Sequence, residues 1–234
     1  EMLSDLGADV LIKCPFSTEF MQMTPQQFAE QILERDLHAV CTSVGVDFRF
    51  GNKQAGDAGL RKKLGCTLGF TCKIMPKLYY RDREISSTWI RQSIEDGDME
   101  LVQKLLGRPY GIDGIVEHGR QIGTRIGIPT VNISPDPEKE MPPNGVYATR
   151  TTLPDGRCLN GLTNSGTQPT IGGNTRKVET WLLQFEGNLY GQPIRTEFLS
   201  YLRPEVRFKS IEQLQTQIHH DLETAAAVFE RNMQ

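Results

Sequence analysis

At 234 residues the chain is long enough for one large domain or two smaller ones. Its hydrophobic content of 38% and charged content of 24% are ordinary for a globular protein. A formal net charge of −3 gives no electrostatic footprint for nucleic acid, and no apolar run approaches the length of a membrane span. The sequence therefore predicts neither a nucleic-acid partner nor a membrane partner.

The five cysteines are scattered and contain no C-x-x-C pair, which indicates neither a zinc site nor a disulfide framework. Reduced thiols are typical of a cytoplasmic protein, and we expect that location. The chain opens on Glu1 and Met2 inside what reads as a running helix. We therefore expect that part of the natural N-terminus is missing.

The first part of the chain alternates between strand patterns and helix patterns. Strands are predicted at "ADVLIKCPF", "AVCTSVG" and "FTCKIM", and helices at "TPQQFAEQILERDL" and "GLRKKLGCTLG". In the first helix Thr24 is the expected N-cap, with Pro25 at the first helical position and Gln27 closing a capping box. This alternation favours a parallel sheet.

The segment "SSTWIRQSIEDGDMELVQKLL" predicts two further helices separated near Gly97. "GRPYG" then breaks the pattern and predicts a domain boundary between residues 106 and 107. Beyond it, short strand candidates are divided by glycine, proline and Asp-Gly turns, which favours an antiparallel barrel or sandwich. A final amphipathic helix starts near residue 211, with Ser210 as N-cap and Gln213 closing the box. Its predicted buried face holds Ile211, Leu214, Ile218, Leu222 and Phe229.

The stretch "RIGIPTVNI" (125–133) combines a proline with two polar residues. Pro129 pushes the preceding residue toward an extended conformation. If the run continues as a strand, Thr130 and Asn132 are two residues apart and share one face. They are either two exposed polar residues on a barrel strand or a pair of hard oxygen ligands for a divalent cation. The preceding "GRQIGTRIGIPT" spaces three glycines four residues apart, which fits a phosphate-binding loop or a tight hairpin.

The stretch "KVETWLLQF" reads as a strand in which Glu179, Trp181 and Leu183 share one face. A carboxylate among large apolar neighbours is costly to bury, and desolvation would raise its pKa and make it a better proton acceptor. The alternative is an edge glutamate at the rim of the sheet. Pattern alone leaves both interpretations open.

The stretch "ISSTWIR" (85–91) puts two serines and a threonine at a helix start, with an arginine one turn in. Free backbone N–H groups, hydroxyls and a guanidinium that converge in this way make an anion site. A plain N-cap is the other interpretation.

Together these segments resemble bacterial bifunctional riboflavin kinase/FAD synthetase over nearly the whole chain. The second half carries "GIPTVN", "NGVYAT", "NSGTQPTIGG", "VETWLLQFEGNLYG" and "FLSYLRPEVRFKSIEQLQTQI"; the first carries "VGVDFRFGNKQAGD" and "ISSTWIR", followed by "LLGRPY". The resemblance implies a partial α/β nucleotidyltransferase-like (Rossmann-like) domain over residues 1–106. It also implies an antiparallel β-barrel riboflavin kinase domain with a C-terminal helix over residues 107–234.

The resemblance implies phosphorylation of riboflavin to FMN that depends on ATP and Mg²⁺, with adenylylation of FMN to FAD by the full-length protein. Thr130 and Asn132 would hold the magnesium, and Glu179 would accept the proton of riboflavin's ribityl hydroxyl. The implied nucleotide contacts are His118, Gly123, Gly127 and Thr130. The implied flavin contacts are Tyr201, Arg203 and Phe208, although a core role for an aromatic is an equal alternative.

Several positions depart from the family's usual pattern. Thr124 follows Gly123 where the family usually has arginine, Gln168 stands in place of another arginine, and Trp181 replaces a histidine. The chain also lacks the early H-x-G-H turn of the adenylylating half.

What remains of the adenylylating site is Asp47, Ser87, Thr88 and Arg91. We expect a fragment of a longer protein rather than an inactive half. The competing hypotheses are a non-catalytic flavin-binding module and an adenylyltransferase alone.

Overall fold

The computed structural model describes residues 2–119, 123, 127–170 and 173–232, and it divides into two compact units, Glu1–Tyr79 and Tyr80–Gln234. This division lies before the boundary predicted between residues 106 and 107. The helices ahead of that boundary belong to the second unit because Ile94, Met99 and Val102 lie in the same buried cluster as Ile112 and Phe198. The boundary of the functional domains stays a prediction.

The first unit contains a two-stranded parallel sheet and several short helices. Strand β1 (Cys41–Gly45) pairs in parallel with β4 (Thr71–Met75), as the alternating pattern predicts. The other elements are α1 (Met2–Asp5), α2 (Thr18–Gln22), α3 (Pro25–Gln27, continuing as a π-helix over Phe28–Asp36), β2 (Arg49–Phe50), β3 (Gly56–Asp57) and α4 (Ala58–Leu68).

The start of α3 confirms its predicted cap. The Thr24 hydroxyl accepts from the Gln27 N–H at 3.2 Å, and the Gln27 side chain accepts from the Thr24 N–H at 2.9 Å. The strand predicted at "ADVLIKCPF" is wrong, because residues 8–17 form neither helix nor strand and their side chains are exposed. An apolar run becomes a strand only where a neighbouring strand satisfies its backbone groups.

A hairpin at the junction of the two units is followed by two helices and then by a sheet. The hairpin is β5 (Tyr79–Tyr80) with β6 (Arg83–Glu84), and the helices are α5 (Ser87–Glu95) and α6 (Met99–Leu106). They break at Gly97, as predicted, where a φ of +76° favours glycine. The remaining elements are β7 (Tyr110–Ile115), β8 (Thr130–Ile133), β9 (Gly145–Thr152), β10 (Cys158–Thr170), β11 (Gly173–Leu182), β12 (Pro193–Arg203) and α7 (Ile211–Arg231).

Six antiparallel strands form a barrel in the order β7-β12-β9-β10-β11-β8. The segment just after β7 meets β8, the other outer strand of this order, through an isolated bridge between Glu117 and Asn132. The Glu117 N–H donates to the Asn132 carbonyl at 2.8 Å. The predicted antiparallel barrel is confirmed.

The barrel interior contains a ladder of threonine hydroxyls. Thr163 Oγ1 lies 2.7 Å from Thr149 Oγ1 and 2.8 Å from Thr180 Oγ1, and all three side chains are fully buried. Thr149 also donates to the Gly161 carbonyl at 3.1 Å. A hydroxyl is both donor and acceptor, so the ladder satisfies polar atoms that an apolar interior would otherwise leave unpaired.

Helix α7 covers part of the outer face of the barrel. Ala225, Val228 and Phe229 pack with Leu162 and Leu199 in a second buried cluster, which confirms the predicted helix. Ser210 caps it by accepting from the Gln213 N–H at 3.3 Å.

Two details of α7 differ from prediction. The Gln213 side chain accepts from the Lys209 N–H at 3.2 Å, one residue earlier than the N-cap. Ile211, predicted buried, is 54% exposed, because the buried contacts of the helix begin further along. In the part of the chain that the structure describes, no helix is both long and apolar enough to cross a membrane.

We expect Thr163→Val to destabilise the protein by about 1–3 kcal/mol, because the substitution keeps the shape but leaves the Thr180 hydroxyl without this partner. Urea unfolding measures the change. The matched control is Thr152→Val on β9, whose hydroxyl lies at the surface beside Cys158, and which should change stability by less than about 0.5 kcal/mol. Equal effects of the two variants would show that the ladder contributes nothing specific.

Candidate active site

One row of paired residues crosses the outer face of the barrel. Asn132 on β8 pairs with Glu179 on β11, which in turn pairs with Asn164 on β10. The row continues through Val146 on β9 to Arg203 at the end of β12. Residues directly opposite each other on antiparallel strands present their side chains to the same face. The pairing therefore lines up an amide, a carboxylate, a second amide and a guanidinium.

The next row, two residues along, places an aromatic beside a hydroxyl. Thr130 pairs with Trp181, and Trp181 pairs with Leu162. Both rows border a cavity of about 320 Å³. Its apolar floor is formed by Val146, Leu162 and Trp181 on the barrel. Such a floor suits the ring of a planar ligand.

The cavity is lined on its other sides by α7, by the segment that follows β12, and by Gly123 and Ile128. Helix α7 contributes Leu214, Ile218 and Asp221, and the segment contributes Glu205, Val206 and Phe208. The site is therefore a cleft between barrel and helix, apolar at its base and carrying carboxylates on its walls.

Glu179 is half-buried in this cleft and borders it together with Trp181. Leu183, two residues further along, packs on the cluster under α7. The predicted common face of these three residues is confirmed. A carboxylate held over an apolar floor is well placed to accept a proton from a bound hydroxyl.

The two polar residues of "GIPTVN" belong to the same site. Strand β8 begins directly after Pro129, and Thr130 borders the cavity. Asn132 is only 7% exposed, so these are not two exposed polar residues. Its amide is enclosed by the chain at Gly119, where a Cβ atom would lie 2.5 Å from Asn132 Nδ2. A larger residue at position 119 would have to displace the Asn132 amide.

These groups fit a magnesium ion by their chemistry. The donors are a hydroxyl and an amide on one face, with the Glu179 carboxylate directly across from Asn132. Mg²⁺ prefers hard oxygen ligands and commonly takes only one or two from the protein, with the others from water and substrate phosphates.

An ion pair ties the cavity wall to the barrel. Arg203 Nε and Nη2 each donate to Asp221 at 2.8 Å, and Nη1 donates to the Pro204 carbonyl at 3.0 Å. Asp221 is 3% exposed and also accepts from Gln217 at 2.9 Å. The guanidinium lies 5.7 Å from the centroid of the Phe208 ring. Arg203 therefore orients Phe208 and α7, with its N–H groups engaged by the protein.

A second contact holds the segment after β12 over the sheet. Asn164 Nδ2 donates to Glu205 Oε1 at 2.9 Å. Sequence analysis missed Asn164, Glu205 and Asp221. Asn164 lies within the quoted "NSGTQPT" motif, and Asp221 falls among the apolar residues of the helix stripe, where a charge signals a buried partner.

Other predicted site residues lie elsewhere. Tyr201 packs edge-on against Tyr147 at a centroid distance of 5.2 Å and does not border the cavity. His118 stacks on Tyr190 with centroids 3.8 Å apart, also away from the cavity lining.

Of the two glycines predicted to contact the nucleotide, Gly123 borders the cavity, whereas Gly127 does not and has a φ of +78°. Thr124 and the side chain of Gln168 lie outside the described residues.

The predicted remnant of the adenylylating site is divided between the two units. Asp47 follows β1, is exposed and lies 3.3 Å from Lys77 Nζ. Ser87, Thr88 and Arg91 are exposed in the first turns of α5. The cap of this helix is Ser86, which accepts from the Trp89 N–H at 3.3 Å. The role of these residues stays a prediction.

The architecture of the second unit is that of a riboflavin kinase: a six-stranded antiparallel barrel, a C-terminal helix, and a cleft between them that holds a carboxylate. The family model described as "Riboflavin kinase" (Flavokinase) matches residues 106–229, and the model described as "FAD synthetase" matches residues 1–89.

Individual relatives agree with these family models. The bifunctional riboflavin kinase/FMN adenylyltransferase of Haemophilus influenzae is 38% identical over 97% of this chain and 73% of its own length. The Bacillus subtilis protein of the same name is 34% identical over 97% of this chain and 72% of its own. A crystal structure described as a macrolide-efflux protein from Streptococcus pneumoniae has a TM-score of 0.81 and 29% identity, covering 90% of this chain and 67% of that one.

The chain belongs to the family of bifunctional riboflavin kinase/FMN adenylyltransferases, which are enzymes. The resemblance inferred from the sequence motifs is confirmed. So is the fold class, a nucleotidyltransferase-like part followed by a kinase barrel.

We expect Asp221→Ala to destabilise the protein by about 3–5 kcal/mol, because it leaves the Arg203 guanidinium, whose side chain is 16% exposed, without its carboxylate. Urea unfolding checks this value. Asp113→Ala is the control, since the Asp113 side chain is 60% exposed and its pair with Arg195 should be worth less than about 1 kcal/mol. A loss for Asp221→Ala as small as that of the control would contradict the role assigned to the buried pair.

Proposed function

We propose that the protein transfers the γ-phosphate of ATP to riboflavin, giving FMN and ADP, and that adenylylation of FMN to FAD is an activity of the full-length protein. The observation that carries the proposal is the pairing of Asn132 with Glu179 at the edge of the cleft, next to Thr130. That arrangement brings a proton acceptor and two neutral oxygen donors to one place. Phosphoryl transfer needs positioning and charge neutralisation more than covalent help.

In the proposed reaction Glu179 accepts the proton of riboflavin's terminal ribityl hydroxyl. The hydroxyl oxygen forms a bond to the γ-phosphorus, and the bond to the bridging oxygen of ADP breaks. Thr130 and Asn132 would hold Mg²⁺, which when bound neutralises negative charge on the phosphates. The apolar floor and Phe208 would contact the flavin ring, in keeping with their place in the cleft.

The nucleotide is assigned to the side of the cleft where Gly123 and Thr130 lie. His118 and Gly127 are kept as proposed nucleotide contacts. Tyr201 and Arg203 are kept as proposed flavin contacts, Arg203 acting through Phe208. We also propose a cytoplasmic location, supported by the five free cysteines.

The first test is incubation with riboflavin, ATP and Mg²⁺, followed by chromatography that separates FMN from FAD. We expect FMN, because Thr130 and Glu179 border the cleft and Asn132 pairs with Glu179. Absence of both products, with flavin fluorescence still quenched on binding, would favour the non-catalytic flavin-binding module. FAD in addition to FMN would support the second activity despite the missing H-x-G-H motif, and FMN alone would count against that activity in this chain.

We expect Glu179→Gln to lower kcat by about 10²–10⁴-fold, since the amide cannot accept the proton. Riboflavin should still bind, which fluorescence titration measures. Glu186→Gln, a change of the same chemistry at an exposed position four residues beyond β11, should leave kcat unchanged. Turnover of Glu179→Gln near that of the unchanged protein would remove Glu179 from the role of base.

We expect Thr130→Val to raise the Mg²⁺ concentration for half-maximal rate by about tenfold, a loss of about 1.4 kcal/mol. The variant keeps the side-chain shape and removes one hard oxygen. Thr152→Val, at the surface of β9, should leave the requirement unchanged. An unaltered magnesium requirement in Thr130→Val would count against Thr130 as a ligand.

A further inference from the structure

Three polar side chains from different segments converge beside the Asn132–Glu179 pair. Lys177 Nζ lies 2.6 Å from Glu117 Oε2 and 2.6 Å from Ser134 Oγ, and the Ser134 hydroxyl donates to Glu117 Oε2 at 2.9 Å. We call these three residues the seam cluster. Hydrogen bonds from Lys177 and Ser134 hold the pKa of the Glu117 carboxyl below its usual value. The carboxylate is therefore charged near neutral pH, and each member of the cluster contacts the other two.

The cluster lies where the barrel closes. Strands β7 and β8 are the two outer strands in the sheet order, and the segment just after β7 meets β8 through the bridge between Glu117 and Asn132. That bridge carries a hydrogen bond of 2.8 Å from the Glu117 N–H to the Asn132 carbonyl. An isolated bridge restrains a strand less than a full ladder of hydrogen bonds does. Side-chain contacts therefore contribute more to holding β8 in place at this junction, which we call the seam.

The cluster is also in register with the site. Lys177 precedes Glu179 by two residues and Ser134 follows Asn132 by two, so both point to the same face as the pair. Glu117 is itself the backbone partner of Asn132. Through Lys177 on β11, the strand that carries Glu179, the cluster contacts Ser134, two residues after Asn132, and Glu117, the bridge partner of Asn132.

We propose that the seam cluster is a positioning element for phosphoryl transfer, with Lys177 as its central positioning residue: it fixes Asn132 opposite Glu179. The inference rests on the proposed kinase function. Exposed ion pairs contribute little, but the Lys177 side chain is only 28% exposed and makes two short contacts within a connected network. A displacement of Asn132 by a fraction of an ångström at this seam alters its position relative to Glu179, with which it pairs.

The test compares Lys177→Met and Glu117→Gln, singly and together, with Arg195→Met as the control. Arg195 resembles Lys177 in burial, with a side chain 25% exposed, and pairs with Asp113 across β12 and β7, away from the cleft lining. The measurements are hydrogen exchange of the Glu117 amide, kcat and KM for ATP with Mg²⁺, the Kd for riboflavin, and Tm.

We expect Lys177→Met to speed exchange of the Glu117 amide and to raise KM for ATP with Mg²⁺, each by about tenfold, with riboflavin Kd within about twofold. The double variant should lose no more than Lys177→Met alone, because both changes break one network. Lys177→Arg should recover part of the loss, since its guanidinium can contact the same two partners. Arg195→Met should leave the exchange rate and KM unchanged.

Two results would overturn the proposal: unchanged amide exchange and KM in Lys177→Met, or equal changes in Arg195→Met, which would indicate general loosening. A protein that makes no FMN before any substitution would instead overturn the kinase function. In that case, faster exchange of the Glu117 amide in Lys177→Met would still support the conclusion that the seam cluster stabilises the bridge between Glu117 and Asn132.

Discussion

The antiparallel pairing of β8 with β11 is the constraint on which the site depends. Strand side chains alternate between faces, so a slip of one residue would turn Glu179 toward the threonine ladder and bring Thr180 to the cleft. The observed register places Asn132 opposite Glu179, and the bridge at Glu117 holds the free side of β8. This alignment places Thr130 and Asn132, the proposed magnesium donors, on the same outer face as Glu179.

The two faces of the barrel are stabilised by different interactions. Inside, the hydroxyls of the threonine ladder satisfy one another among large buried side chains such as Tyr147 and Phe198, whose rings lie 5.1 Å apart. Outside, apolar contacts to α7 provide area, and the pair between Arg203 and Asp221 fixes where the helix lies.

The alternation of residues within single strands predicted much of this site. The rest depends on which strands pair and in what register, which the local sequence does not determine. Period-two alternation correctly put Thr130 with Asn132, and Glu179 with Trp181, but no local rule aligns β8 with β11. The position of Tyr201 could not be predicted from local patterns either. The pairing of β12 with β9 shifts its register between Phe198 and Ser200 and again between Tyr201 and Arg203. Because such bulges re-aim side chains, Tyr201 contacts Tyr147, whereas Arg203 borders the cleft.

The threonine ladder has a consequence for how this barrel can diverge. Thr163 is the hydroxyl partner of both Thr149 and Thr180, so an apolar residue at position 163 removes a partner from each, whereas apolar residues at all three positions remove these hydroxyls together. Evolutionary substitutions at positions 149, 163 and 180 should therefore occur together, so that the three hydroxyls are retained or lost as a set. Among homologues, these three positions would covary although their residues are far apart in the chain.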